Sequence, residues 1–268
     1  MTNAEHLHET LLRAPLRVLG RLRTASNATF LCTALLGSSP GDEPVRCVYK
    51  PVAGEQPLWD FPDGTLAGRE VAAYLISSAL GWNIVPYTVL RSGPAGVGMV
   101  QLWVDEVDCA DLGVVDLCDP DSRPPGYLAV LSAFDETGSP VELVHADLPE
   151  LRRMAVFDVL INNADRKGGH ILVDQQGRIH GVDHGVSLHV DNKLRTVLWG
   201  WAETPLETDE ISAVQLLGTL LAGELATTLS EYLTHGEIGA LRRRVDDLLE
   251  NAVLPIPRGR SPLPWPAF

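Results

Sequence analysis

The sequence predicts an α+β chain of two lobes, a small N-terminal β-sheet lobe with one helix and a larger helical C-terminal lobe. Three features of its 268 residues predict this. Short apolar, β-branched runs broken by turn residues fill 16–104, with one stretch of helical period among them. Beyond residue 205 the periodicity is helical throughout. Between the two, NNADRKGGHIL (162–172) and HGVDHGVSL (180–188) read as a polar loop, a short apolar strand, a polar turn and a second strand ending in an acid. The expected organisation is 1–104, then 105–254, then a proline-rich tail at 255–268.

In the first lobe, Leu16 to Leu22 and Thr29 to Leu35 flank the polar turn Thr24-Ala25-Ser26-Asn27. Val45 to Lys50 is a third strand after the Gly/Ser/Pro loop 37–44. Residues 51–64 are irregular. A helix is expected over 66–80, with Val71, Leu75 and Ala79 on one buried face and Gly81 as its stop. Ile84 to Leu90 and Val97 to Val104 read as two more strands. In the second lobe, 105–126 is acidic and loop-like, and a helix is expected over Tyr127 to Phe134. Asp147 with Glu150 three residues on forms a capping box for a helix to about Asn162. Met154 to Ile161 is apolar nearly all round except for Asp158, so that helix is central. Helices follow at roughly 208–222, 224–233 and 236–251. The tail reads as extended or mobile.

A net charge of −14 repels nucleic acid and anionic lipid at long range, so no nucleic-acid partner is expected. No apolar run approaches the ~18 residues of a membrane span, and the N-terminus has no apolar signal region. The four cysteines (Cys32, Cys47, Cys109, Cys118) lack CxxC spacing and read as free thiols in a reducing cytoplasm.

Asp165, His170 and Asp183 carry the chemistry. Phosphoryl transfer needs an acid to orient the attacking hydroxyl, then ligands that hold a divalent metal on the nucleotide phosphates. Asp165 and His170 stand five residues apart, and Asp183 follows after a hairpin-sized gap, the order and step of H-R-D-x-x-x-x-N and then D-F-G. Here His170 replaces the Asn, and the third element is Asp-His-Gly. Lys167 is placed to offset charge on the transferring group. Three readings stand for His170: a metal ligand that favours Mn²⁺ over Mg²⁺, a partner of Asp165, or a partner of phosphate. Lys50 ends a β-run, and Glu70, 20 residues on in the next helix, could orient it toward phosphates; both could instead be surface charges. Ser26 and Asn27 offer turn amides to a phosphate, or form an ordinary β-turn. Asn162 and Asn163 suit a helix C-cap. Asp165-Arg166-Lys167 could alternatively be a solvated turn. His145, His170, His180, Asp183 and His184 form a rival set for a metal-dependent phosphohydrolase, although the Asp-His order is reversed.

The chain resembles the phosphatidylinositol 3-/4-kinase-like group of atypical kinases, closest in pattern to type II phosphatidylinositol 4-kinases and to a bacterial, largely actinobacterial set of kinase-like proteins. The resemblance rests on VYKPVAGEQP (48–57), REVAAYLISSALGWNIVPYTVL (69–90), MVQLWV (99–104), NNADRKGGHIL (162–172), VDHGVSL (182–188) and LWGWAETPL (198–206). It implies a bilobal protein-kinase-like fold with ATP between the lobes and adenine hydrogen-bonded by a hinge of Gln101, Leu102, Trp103 and Val104. It gives Lys50 the phosphate, Glu70 the orienting, Asp165 the base and Asp183 the metal role, with Mg²⁺ or Mn²⁺ as the ion. The chain departs from the pattern at His170 and in the glycine-free first hairpin. It shows no palmitoylation segment or polybasic patch, so the expected acceptor is a small molecule or a protein hydroxyl rather than a lipid. Lys193 and Arg195 lie in the region matching the substrate loop. The expectation is a cytoplasmic ATP-dependent kinase, with a nucleotide-binding pseudokinase as the alternative.

Overall fold

A computed structural model of the chain describes residues 3–22, 27–36, 43–61, 65–107, 113–259 and 261–268. Helix α1 (Asn3–Arg13), which has no counterpart in the sequence expectations, packs Leu11 against the first sheet. Its C-terminal carbonyls are capped by Arg91, whose Nη1 donates to Leu11 O and Ala14 O at 2.8 Å. Strands β1 (Leu16–Arg21), β2 (Phe30–Ala34) and β3 (Val45–Pro51) fall where turn residues and β-branched runs place them. With β4 (Thr88–Gly93) and β5 (Gly96–Leu102) they form an antiparallel sheet in the order β1-β2-β3-β5-β4. Cys32 and Cys47 face each other across β2 and β3 as buried free thiols, and Cys118 is also free; Cys109 lies outside the described residues.

Strand β4 starts four residues later than Ile84. The Ile84 and Val85 amides donate to Ser77 Oγ at 2.8 and 3.2 Å, and Pro86 has no N–H, so no ladder can form before Thr88. Helix α2 (Leu66–Ala79) is capped by Thr65, whose hydroxyl accepts from Gly68 N, and by Glu55, whose carboxylate accepts from Leu66 N and Ala67 N. Its Ala72, Ala73 and Ile76 belong to the same core as the C-terminal helices. Arg69 fixes it further, through Ser187 O and a buried ion pair with Glu237. The helix that carries Glu70 is therefore anchored in the second lobe.

Two readings of the second lobe are corrected. Tyr127–Phe134 is a strand (β7), not a helix. It pairs with β8 (Pro140–Ala146), which in turn pairs with β6 (Val115–Cys118) inside the stretch expected to be loop. A bulge between Ala129 and Leu131 breaks the two-residue alternation that would have marked β7 as a strand. The β7–β8 turn is organised by Asp135, whose Oδ1 accepts from the amides of Thr137 and Ser139. The capping box at Asp147 and Glu150 does not form: Leu148 is the N-cap of α3 (Pro149–Ile161), and Asp147 Oδ1 accepts instead from Trp201 Nε1 at 2.9 Å.

Helix α3 is central as expected, with Leu151, Met154, Phe157, Leu160 and Ile161 fully buried against α4 (Thr208–Leu221) and α6 (His235–Asn251). The short α5 (Glu224–Leu229) lies between those two in sequence. Strands β9 (Ile171–Val173) and β10 (Ile179–Gly181) form the expected hairpin. The tail is extended but held. Pro262 O accepts from Thr196 N and Trp199 Nε1, and Ala267 O accepts from Gly168 N at 2.8 Å.

Candidate active site

Lys50 is the penultimate residue of β3, and its ammonium reaches two carboxylates. Nζ lies 2.6 Å from Glu70 Oε1 and 2.7 Å from Asp183 Oδ1. Burial alone would lower the Lys50 pKa, but Asp183 and Glu70 outweigh it and hold the amine above its ordinary value. Glu70 is 1% exposed, and its second oxygen accepts from His184 N at 2.9 Å. Burial raises its pKa, against the pull of Lys50. Asp183 adopts a left-handed backbone, φ 61°, two residues past the end of β10, and its side chain is half-exposed. Lys50 holds its carboxyl well below the usual aspartate range.

The NNADRKGGH loop is built on the end of α3. Asn162 is the left-handed C-cap, φ 51°, and its side chain binds the next segment: Nδ2 donates to His189 O and Asp191 O, and Oδ1 accepts from Lys193 N. Asn163 Oδ1 accepts from the Asp165 amide at 3.0 Å and so sets the turn that presents Asp165. The Asp165 carboxylate is partly exposed and lies 3.5 Å from Lys167 Nζ. Burial raises its pKa above the usual aspartate value, opposed first by Lys167.

The solvated-turn reading of Asp165-Arg166-Lys167 fails at Arg166, which is fully buried. Its guanidinium donates to the equally buried Asp158 (Nη2 to Oδ1, 2.9 Å), to the carbonyls of His170 and Val182, and to His184 Nε2 at 2.7 Å. His184 therefore accepts at Nε2, and burial keeps its pKa well below the ordinary value. Arg166 thus ties α3, the loop of Asp165 and the loop of Asp183 together. Sequence reasoning missed this pair. The one available signal was Asp158, a lone acid on an otherwise apolar helix, which required a buried cation.

His170 Nδ1 lies 2.9 Å from the Asp165 carbonyl oxygen, an acceptor, so Nδ1 donates and Nε2 carries the lone pair. Burial lowers the pKa of the ring, which favours the neutral form. Nε2 sits 3.5 Å from Asp183 Oδ2. Two acceptors facing each other at this distance suit a shared divalent cation. Among the described residues, no group of three His, Cys, Asp or Glu side chains could hold a metal unaided. An ion here would need further ligands, as Mg²⁺ and Mn²⁺ take from nucleotide phosphates. The five-residue set of the phosphohydrolase reading does not assemble. His145 is packed on Trp201 with Nε2 accepting from Gly200 N, and His180 pairs with Asp174.

Of the four hinge candidates, Gln101 lies within the sheet, and its side-chain amide donates to Thr88 Oγ1 at 2.9 Å. The Leu102 and Trp103 amides donate to Tyr87 O and Arg46 O. Among the described residues only the Val104 amide of this group is left without a partner. Asn27 Oδ1 accepts from Gln56 N and joins the first hairpin to the loop after β3. Ser26 lies outside the described residues.

No protein-family model matches the chain. It is 58% identical over 275 residues to Protein Rv2133c of Mycobacterium tuberculosis (strain ATCC 25618 / H37Rv), an alignment covering 100% of this chain and 98% of that one. Over 145 residues it is 30% identical to Phosphatidylinositol 4-kinase gamma 4 of Oryza sativa subsp. japonica, 47% of this chain but 20% of that protein. Among solved structures it is similar to the Golgi casein kinase with Mn/ADP bound, at a TM-score of 0.53 and 14% identity, covering 92% of this chain and 75% of that one. It is also similar to hydra Fam20 with sugar, at 0.52 and 14%, covering 94% and 90%. At these identities the likeness is one of fold: the chain has a kinase-like fold.

Proposed function

We propose that this chain, which belongs to the family of Protein Rv2133c and is built on a kinase-like fold, is an ATP-dependent phosphotransferase that moves the γ-phosphoryl group to a hydroxyl acceptor. The observation that carries the reading is Lys50 held between Glu70 and Asp183, residues far apart in sequence. A core lysine fixed by a helix glutamate beside a metal-competent aspartate is the phosphate-binding half of a kinase site.

Each residue has a role in this reading. Lys50, oriented by Glu70, neutralises nucleotide phosphate charge. Asp183 and the Nε2 lone pair of His170 would hold the divalent ion, Mg²⁺ or Mn²⁺. When bound, the ion supplies charge neutralisation on the β/γ-phosphates. Asp165 accepts the proton of the acceptor hydroxyl, and Lys167 faces the transferring group. The Val104 amide faces adenine, and Asn27, tied to the segment after β3 through Gln56, lies on the phosphate side. ATP lies between 1–104 and 105–254. Within the atypical kinases the reading favours the phosphatidylinositol 3-/4-kinase-like group, supported by the partial match to the rice enzyme. The acceptor is a small molecule or a protein hydroxyl. No helix among the described residues is long and apolar enough to cross a membrane, and the free thiols support a cytoplasmic setting.

Thermal melts with Mn²⁺-ATP or Mg²⁺-ATP test the binding half. Saturating ligand stabilises the native state by RT ln(1 + [L]/Kd), about 2.7 kcal/mol at 100 times Kd. Lys50→Met is expected to lose most of this shift. No shift in the wild-type protein at millimolar nucleotide would refute the reading.

A further inference from the structure

Apart from the site of Lys50, Glu70 and Asp183, the chain carries a groove of about 990 Å³ between the segment at 192–195, α6 and the tail. That volume lies within the roughly 300–1,000 Å³ of small-molecule sites. Its lining includes Lys193, Arg195, Arg244 and Arg258, an unusual concentration of cations in a chain of net charge −14. Lys193 is engaged, its Nζ 3.0 Å from Asp60 Oδ2. Arg195 and Arg258 have no ion-pair partner among the described residues. Arg244 is held by two carbonyls, Nε to Leu160 O at 2.7 Å and Nη1 to His189 O at 3.2 Å, while its buried Nη2 has no partner. Two carboxylates, Glu203 and Asp247, share the lining, but neither lies within ion-pair distance of these arginines.

One lining residue, Arg195, packs against the loop that carries the candidate base. The Arg195 amide donates to Asn163 O at 2.9 Å, and its carbonyl accepts from Arg166 N at 3.0 Å, so it is braced against the loop on both sides of Asp165. Its charge is close enough to act on the Asp165 carboxyl.

Guanidinium groups bind phosphate through paired N–H donors. A phosphate monoester brings close to two negative charges and three acceptor oxygens, enough for both Arg195 and Arg258, whereas a carboxylate neutralises one. Resting on the phosphotransfer reading above, we propose that this groove receives the acceptor by a phosphate group: a small hydroxyl-bearing phosphate monoester, its anion held by Arg195 and Arg258 and its hydroxyl presented to Asp165.

Calorimetric titration of the full chain at constant ionic strength tests this, with inorganic phosphate, glycerol 3-phosphate and glycerate as probes. Saturable binding of both phosphates is expected in the wild-type protein and in Lys50→Met, which separates the groove from the nucleotide cleft. The exposed pair Arg195→Met/Arg258→Met should weaken it at least about ten-fold, the scale of lost charge-assisted hydrogen bonds, and should keep the melting shift with Mn²⁺-ATP. No saturable phosphate binding, unchanged affinity in the double variant, loss of binding in Lys50→Met, or glycerate binding as tight as glycerol 3-phosphate would each overturn the proposal. Phosphate binding without any ATP-dependent melting shift would leave an anion site but remove its role as acceptor site, because the phosphotransfer reading would then have failed.

Discussion

Replacing Asp158 by Ala removes the only carboxylate among the described residues that pairs with the fully buried Arg166. Asp158 accepts from Arg166 Nε and Nη2, from Asn163 Nδ2 and from Thr196 Oγ1. The substitution therefore strands a charge and two further donors in one site. Arg166 keeps the His170 and Val182 carbonyls and His184 Nε2, but these are neutral acceptors. Breaking a buried pair by deleting one partner costs about 3–5 kcal/mol, because the uncompensated charge stays buried. At about 2–4 °C per kcal/mol for a chain of this size, Tm should fall by about 6–20 °C. Arg153→Ala is the control. Its partner Asp209 lies at 3.0 Å in solvent, where a pair is worth about 0–1 kcal/mol. Calorimetric melts of both variants beside the wild-type protein measure the difference. If Asp158→Ala melts within about 2 °C of wild type, or the two variants shift equally, the argument that Arg166 ties α3 to both functional loops is wrong.

His170→Asn should shift the activity ratio from Mn²⁺ toward Mg²⁺, because an amide oxygen replaces an imidazole lone pair; an unchanged ratio would mean that His170 is not a ligand. Burial pushes His145 down to about 4 from the ordinary 6.5, so protonation favours the unfolded chain. The stability this group contributes is complete above pH 6.5 and is lost as pH falls toward 4. Tm should decline across that window, and His145→Gln should flatten the decline, with the depressed His170 and His184 adding to the same slope. An identical pH profile in that variant would contradict the assignment.

The legible parts of this chain were those where local pattern and long-range order agree. Lys50, Glu70 and Asp183 were readable together because a strand-end lysine, an early-helix glutamate and a post-hairpin aspartate occur in one order, and the ammonium does reach both carboxylates. Asn162 was readable as a C-cap because its backbone preference is local. The segment Tyr127–Phe134 was not, because Leu and Ala suit a helix and its strand identity comes from β8, a partner that no local pattern announces. Arg166 was illegible for a related reason: a charge between two charges looks solvated until Asp158 and His184 are brought to it by the packing of α3. Asp147 had the sequence of a cap, yet the indole of Trp201, far away in the chain, took its carboxylate. The Gln101 amide was drawn to Thr88 in the same way, by a neighbouring strand.

The central claim is that Asp165 and Asp183 serve different steps of one phosphoryl transfer. Turnover of γ-labelled ATP with Mn²⁺, measured beside nucleotide binding in the wild-type protein, Asp165→Ala and Asp183→Ala, tests it most directly. Asp165→Ala should lose transfer by roughly 10²–10⁴-fold, the range for a positioned general base, and bind nucleotide as before. Asp183→Ala should lose metal-dependent binding itself. Equal turnover in the wild-type protein and Asp165→Ala, with both binding ATP, would contradict the account and leave a nucleotide-binding module without catalysis.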